Sequence, residues 1–165
     1  MSQIIFVHGA GLDSRSWIRQ TGFFDDSVAV DLPGHGLSTQ PPMDAVSDYA
    51  GWLGDEMRKL SSGPVTLAGH SLVSLIALET AATNPDFVDH LVLFATSASM
   101  PVHRDLLATA RANDPEAAAM VMKSSFRDPG FGRPKGWLRD IEDSFISAAE
   151  QGVLASVLTA CSTYT

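Results

Sequence analysis

Val65-Thr66-Leu67-Ala68-Gly69-His70-Ser71-Leu72-Val73-Ser74 runs an apolar β-type stretch straight into a serine and then straight into a helical pattern. The turn residues Ser61-Ser62-Gly63-Pro64 precede the stretch, and Gly69 is expected to end it. A serine on so sharp a turn is pushed out of a sheet with its hydroxyl exposed. The N–H of the next residue then lies at a helix N-terminus, where it can stabilise a developing oxyanion. Gly69 suits this turn because close backbone approach leaves little room for a side chain. The same residues also suit a plain helix N-cap, for which serine is a preferred type. Local sequence leaves both readings open.

Working outward, three more short apolar runs flank this segment. They are Ile4-Ile5-Phe6-Val7, Val28-Ala29-Val30 and Leu91-Val92-Leu93-Phe94. Their apolar character is continuous rather than alternating, as in strands buried on both faces. Between them, Val46, Tyr49, Ala50, Leu53, Met57 and Leu60 mark one face of a helix over residues 44–60. Residues 72–83 read as a helix that is apolar nearly all round, and so heavily buried. Strands alternating with helices give an α/β fold with a parallel sheet of about four strands. After Ser99 the pattern changes. Helices are expected over 103–112, 115–124, 138–149 and 151–161, with no strand among them.

Composition narrows the partners. The 165 residues are 45% hydrophobic and 18% charged, which suits a chain with a sizeable core. Eleven basic residues against 19 acidic ones give a net charge of −8, which argues against nucleic-acid or anionic-membrane partners. Residues 1–100 hold 11 acids and 4 bases, whereas 101–165 hold 8 and 7, so the first part is acidic and the second nearly neutral. No apolar run approaches the roughly 18 residues needed to cross a bilayer, and no basic, cleavable leader opens the chain, so a cytoplasmic location is expected. One cysteine, Cys161, excludes an internal disulfide and a multi-cysteine metal site, and reads as a small core residue. No cofactor and no metal are expected.

Two further loops follow strands. His8-Gly9-Ala10-Gly11-Leu12-Asp13-Ser14-Arg15-Ser16-Trp17 carries two glycines that let a loop turn tightly and point an N–H inward. Gly9-Ala10-Gly11 satisfies part of a dinucleotide fingerprint, but its third glycine position is Ser14 and no apolar helix follows at once. Asp31-Leu32-Pro33-Gly34-His35-Gly36-Leu37-Ser38 reads as a structural turn.

Together, in this order and spacing, the three segments resemble the α/β-hydrolase fold family, in its serine-nucleophile branch of esterases, lactonases and C–C-bond hydrolases. The resemblance covers essentially the whole chain. It implies Ser71 as nucleophile and the backbone N–H groups of Ala10 and Leu72 as the oxyanion hole. It further implies a core over 1–98 and a helical cap over 99–165. The cap would close over an apolar pocket, with Phe131 and Trp137 as candidate lining residues. The implied substrate is a small apolar ester, lactone or related acyl compound. His8, His35 and His70 fall where the family often has histidine without using it as the base.

Two departures matter. The elbow pattern G-x-S-x-G has Val73 in place of its last glycine, where a β-branched side chain is expected to overpack by roughly 1–3 kcal/mol. The family order is serine, acid, histidine. Beyond Phe94 the single histidine is His103, and Ala95-Thr96-Ser97 stand where some members place the acid. The expectation is therefore an incomplete chain whose last strand is an exposed apolar edge, open to a homo-oligomeric contact. A non-catalytic binding protein, or a degenerate remnant of the fold, is the alternative.

Overall fold

A computed structural model describes residues 2–97, 100–125 and 135–164, without the side chains of Lys135, Trp137 and Leu138. Four parallel strands form one sheet: β1 (Ile4–Val7), β2 (Ser27–Val30), β3 (Val65–His70) and β4 (Val88–Phe94), in the order β2-β1-β3-β4. Val7 lies opposite both Val30 and Gly69, and Phe94 opposite His70. The strands therefore end level, and the loops leaving β1, β2, β3 and β4 emerge along one sheet edge. That carboxyl edge is where ligands bind in open α/β sheets.

Strand periodicity divides the sheet's side chains between two faces. Ile5, Val7, Val65 and Leu67 join the main core with helices α2 (Val46–Leu60) and α3 (Ser74–Thr83). Phe6 and Ala68 belong to a smaller cluster on the other face with Trp17, Ile4 and Ala29. The short helix α1 (Ile18–Thr21) follows Trp17. In α2 the residues that face the core are Val46, Tyr49, Ala50, Leu53 and Met57, the face expected from their spacing.

Two strand readings need correction. β3 does not stop at Gly69 but runs through it to His70. A Cβ on Gly69 would lie 2.8 Å from the Ala77 Cβ and 3.1 Å from the Ser74 Cα, so this glycine is where α3 crosses the sheet. β4 is not buried on both faces. It is an edge strand of the sheet, at the opposite edge from β2, and Val92 and Phe94 are 38% and 44% exposed, in line with the edge expectation.

After β4, the described residues hold only helices: α4 (Arg104–Arg111), α5 (Glu116–Ser125), α6 (Lys135–Glu150) and α7 (Val153–Ser162). Gly152, at φ 75°, sets a bend of 82° between α6 and α7. Val153, Leu154, Val157, Leu158 and Cys161 carry α7 into the main core. Tyr164 beyond it donates to Glu79 Oε2 on α3 at 2.8 Å. Among the described residues, no single helix is long and apolar enough to cross a membrane.

Candidate active site

Ser71 leaves β3 with φ 58°, a left-handed conformation that is uncommon for any residue but glycine. Such strain costs on the order of 1–3 kcal/mol and persists only where the surroundings over-determine it. Here three contacts do so. Gly69 lets α3 press against the strand. The Ser74 hydroxyl, fully buried, donates to the Ser71 carbonyl. That hydroxyl has a single proton, so the Thr96 hydroxyl, arriving from the end of β4, must donate to it in turn. Ser71–Val73 form a 3₁₀ turn that leads into α3.

The plain N-cap reading is thereby set aside. The residue before this turn is His70, the residue before α3 is Val73, and neither makes a side-chain capping bond. Among the described residues, the Ser71 hydroxyl has no hydrogen-bond partner. The Leu72 N–H belongs to the first turn of a helix, where N–H groups lack intrahelical acceptors. Val73 is fully buried within the main core at an ordinary helical conformation, φ −68°, ψ −13°. The expected overpacking does not displace the elbow.

The loop after β1 folds against this elbow. Leu12 N–H donates to the Gly9 carbonyl at 3.0 Å, which turns the backbone tightly around Ala10. A Cβ on Gly9 would lie 2.7 Å from His70 Nδ1, so the two loops touch at this point. Gly11, at φ 73°, has Phe145 and Leu154 where a side chain would stand. The loop then enters a 3₁₀ turn, Ser14–Trp17, capped by Asp13. A dinucleotide loop would open a long helix with free space above its glycines, and this one does neither. Asp31 ties the neighbouring loop in, accepting from Ser14 N at 2.6 Å and from Leu37 N at 2.8 Å. The Asp31-to-Ser38 segment is thus the structural turn that its composition indicated.

The histidines sort by their partners. His8 is fully buried, donates through Nδ1 to the Gly9 carbonyl at 2.9 Å and accepts at Nε2 from Leu32 N at 3.1 Å. Burial holds its pKa below the ordinary value. Beside it His35, with ring centroids 4.8 Å apart, donates to the Pro33 carbonyl and is pushed down to about 3, by burial first and by His8 second. Both are neutral joints between the two loops. His70 is also lowered by burial and packs edge-on to Trp17. His103 is exposed and caps α4, accepting from Asp105 N. Cys161 is buried, its thiol pushed up to about 12 by desolvation, so it is the inert core residue expected.

A cavity of about 450 Å³ opens over the elbow. Ser71, Ala10 and Leu72, three of the five candidate residues singled out from sequence, line it. So do His70 and Ala95, the latter at φ 52° just past β4. Leu106, Val121, Phe145, Leu154 and Leu158 close it from the helices after β4. Sequence reasoning missed these five. Their only signal was membership of amphipathic helix faces, which does not distinguish a pocket wall from a core. Phe131 lies outside the described residues, and so does the side chain of Trp137 on α6. Among the described residues, no imidazole or carboxylate reaches the Ser71 hydroxyl, and no group of three His, Cys, Asp or Glu residues is placed to hold a metal.

Comparison with known proteins bears on the family and the fold. The sequence pattern of the alpha/beta hydrolase family matches residues 4–164. The (E)-2-((N-methylformamido)methylene)succinate hydrolase of Acinetobacter baylyi is 35% identical over 94 residues, 54% of this chain and 36% of that protein. An esterase of Mycobacterium tuberculosis is 34% identical over 116 residues, 66% of this chain and 38% of that protein. The chain thus spans little more than a third of these curated relatives. Among solved structures, a thermophilic esterase superposes with a TM-score of 0.80 at 23% identity, over 98% of this chain and 61% of its own. The enol-lactonase of Burkholderia xenovorans gives a TM-score of 0.79 at 22% identity, over 99% and 66%. At those identities the superpositions speak for the fold alone. With the family pattern running from the first strand to the last helix, the chain belongs to the alpha/beta hydrolase family.

Proposed function

We propose that the protein is a serine hydrolase acting on the ester, lactone or related acyl bond of a small, mostly apolar substrate, with Ser71 as nucleophile. One observation carries the reading: Ser71 sits at positive φ on the floor of an apolar cavity that Ala10 and Leu72 also line. Attack by the Ser71 oxygen on the acyl carbon gives a tetrahedral intermediate with a negative oxygen. The N–H groups of Ala10 and Leu72 supply two donors for that charge. Collapse of the intermediate breaks the acyl–oxygen bond and the alcohol departs with the proton lost by Ser71; water then hydrolyses the acyl-serine to the acid and free Ser71. This chemistry needs no cofactor. Residues 1–98 serve as the core and 99–165 as a cap that supplies the apolar wall. The hydrolases and esterases among the relatives support the reaction class.

The second reading, a binding protein that keeps the pocket without the chemistry, is favoured by a specific feature. Among the described residues nothing is placed to take the Ser71 proton. Without triad partners, an oxyanion hole and binding alone leave a residual acceleration on the order of 10³–10⁴ over water. Turnover of p-nitrophenyl butyrate separates the two. Release of nitrophenolate above the buffer rate, abolished in Ser71→Ala, is the expected result. A rate that Ser71→Ala leaves unchanged would favour the binding protein.

A further inference from the structure

A cluster of polar side chains joins the loop that carries Ala10 to α6. Asp13 is almost fully buried, with its carboxylate 7% exposed. It accepts from Arg15 N at 2.9 Å, Arg15 Nε at 3.0 Å and Arg15 Nη2 at 2.6 Å, all within its own loop. Its fourth partner comes from the other end of the chain: the Ser144 hydroxyl on α6, 2.8 Å from Asp13 Oδ2. Arg15 Nη2 also donates to Ser144 Oγ at 2.9 Å, closing a three-membered ring of bonds. The Ser144 proton has a competing acceptor, the Asp140 carbonyl at 2.9 Å on its own helix. Of the two acceptors, the Asp13 carboxylate is charged and, at 2.8 Å, the nearer, so the proton goes to Asp13.

The next residue on α6 completes the grip. Phe145 fills the space above Gly11, where a Cβ would come within 2.7 Å of its ring. Residues 144 and 145 therefore hold the loop from two sides, one by hydrogen bond and one by packing. Ala10 lies one residue before Gly11. Leu12 and Phe145 both line the cavity, so whatever fills it presses on loop and helix together.

Building on the Ser71 reading, we infer that Asp13 and Ser144 are positioning residues that couple α6 to the Ala10 N–H. The helical layer then does more than close the pocket. The attachment of α6 sets one of the two oxyanion donors, while the other, Leu72, is held by β3, α3 and the Cys161 thiol of α7, which donates to its carbonyl at 3.5 Å. A donor displaced by a fraction of an ångström still admits the ligand but stabilises the charged state less well.

The test compares Asp13→Asn, Ser144→Ala and Ser144→Thr with the unaltered chain, by two readouts. The first is labelling by an alkyl fluorophosphonate, resolved into a binding constant and a bond-forming rate. Ser144→Ala and Asp13→Asn are expected to slow bond formation by about tenfold or more with the binding constant unchanged. Ser144→Thr, which keeps the hydroxyl, restores the rate. The second is the amide ¹H–¹⁵N spectrum. The Ala10 resonance shifts or broadens in Ser144→Ala while that of Leu72 stays in place, a local response that general loosening would not produce. An unmoved Ala10 resonance, or equal disturbance of Leu72, overturns the coupling. If the unaltered chain is not labelled at all, the Ser71 reading fails, and the Ala10 resonance still decides the coupling.

Discussion

Val73 tests the elbow at the level of one side chain. Read from sequence, a valine in the glycine position is a crowding defect; in the structure it is a fully buried part of the main core. Truncation should therefore destabilise. Val73→Ala is expected to lower the urea midpoint by an amount equal to about 1–3 kcal/mol, whereas a relieved clash would raise it. Gly69→Ala tests the neighbouring contact in the opposite direction. The added methyl meets Ala77 at 2.8 Å, and overpacking of about 1–3 kcal/mol is expected. The buried histidines set the pH response. His8 and His35 are neutral in the fold with lowered pKa values, so the unfolded chain binds more protons once pH falls below about 6.5. Stability is full above that value and falls as the solution is acidified, with a slope approaching ~1.4 kcal/mol per pH unit for each imidazole. Asp13 adds its own loss only in stronger acid. Burial alone would raise its pKa, but the bonds from Arg15 and Ser144 hold it below the usual 3.8. Urea melts at pH 7.5 and pH 5 check this, and equal midpoints would contradict it.

Among elements, β4 is where composition and environment part company. Its apolar run reads like the buried strands, yet position in the sheet, not composition, decides exposure. The pairing order β2-β1-β3-β4 places it at an edge, as the lack of a further strand-type run after Phe94 indicated. Edge strands with exposed apolar side chains are templates for pairing with another chain. We propose that two copies meet through this edge. Sedimentation is expected to show a concentration-dependent dimer that Val92→Lys and Phe94→Lys abolish, and a monomer at every concentration would remove the idea. The other strands and the long helix faces were legible because each carries a local signal, continuous apolar runs or a 3.6-residue period. β3 was read two residues short for a physical reason: glycine usually punctuates, and here it makes room for α3.

Across the whole molecule, the floor of the site was legible and its walls were not. Ser71, Ala10 and Leu72 follow strand ends, where a short motif fixes local geometry and the parallel register then brings the loops together. Leu106, Val121, Phe145, Leu154 and Leu158 reach the cavity only through the packing of four helices, which no local pattern encodes. The Asp13–Ser144 bond spans 131 residues and was invisible for the same reason. The central claim remains that Ser71 is a reactive nucleophile on the cavity floor. Exposure to a fluorophosphonate, followed by peptide mass spectrometry, tests it most directly. The account predicts a single adduct on Ser71 that Ser71→Ala abolishes; an unmodified Ser71, or an adduct on another residue, would contradict it.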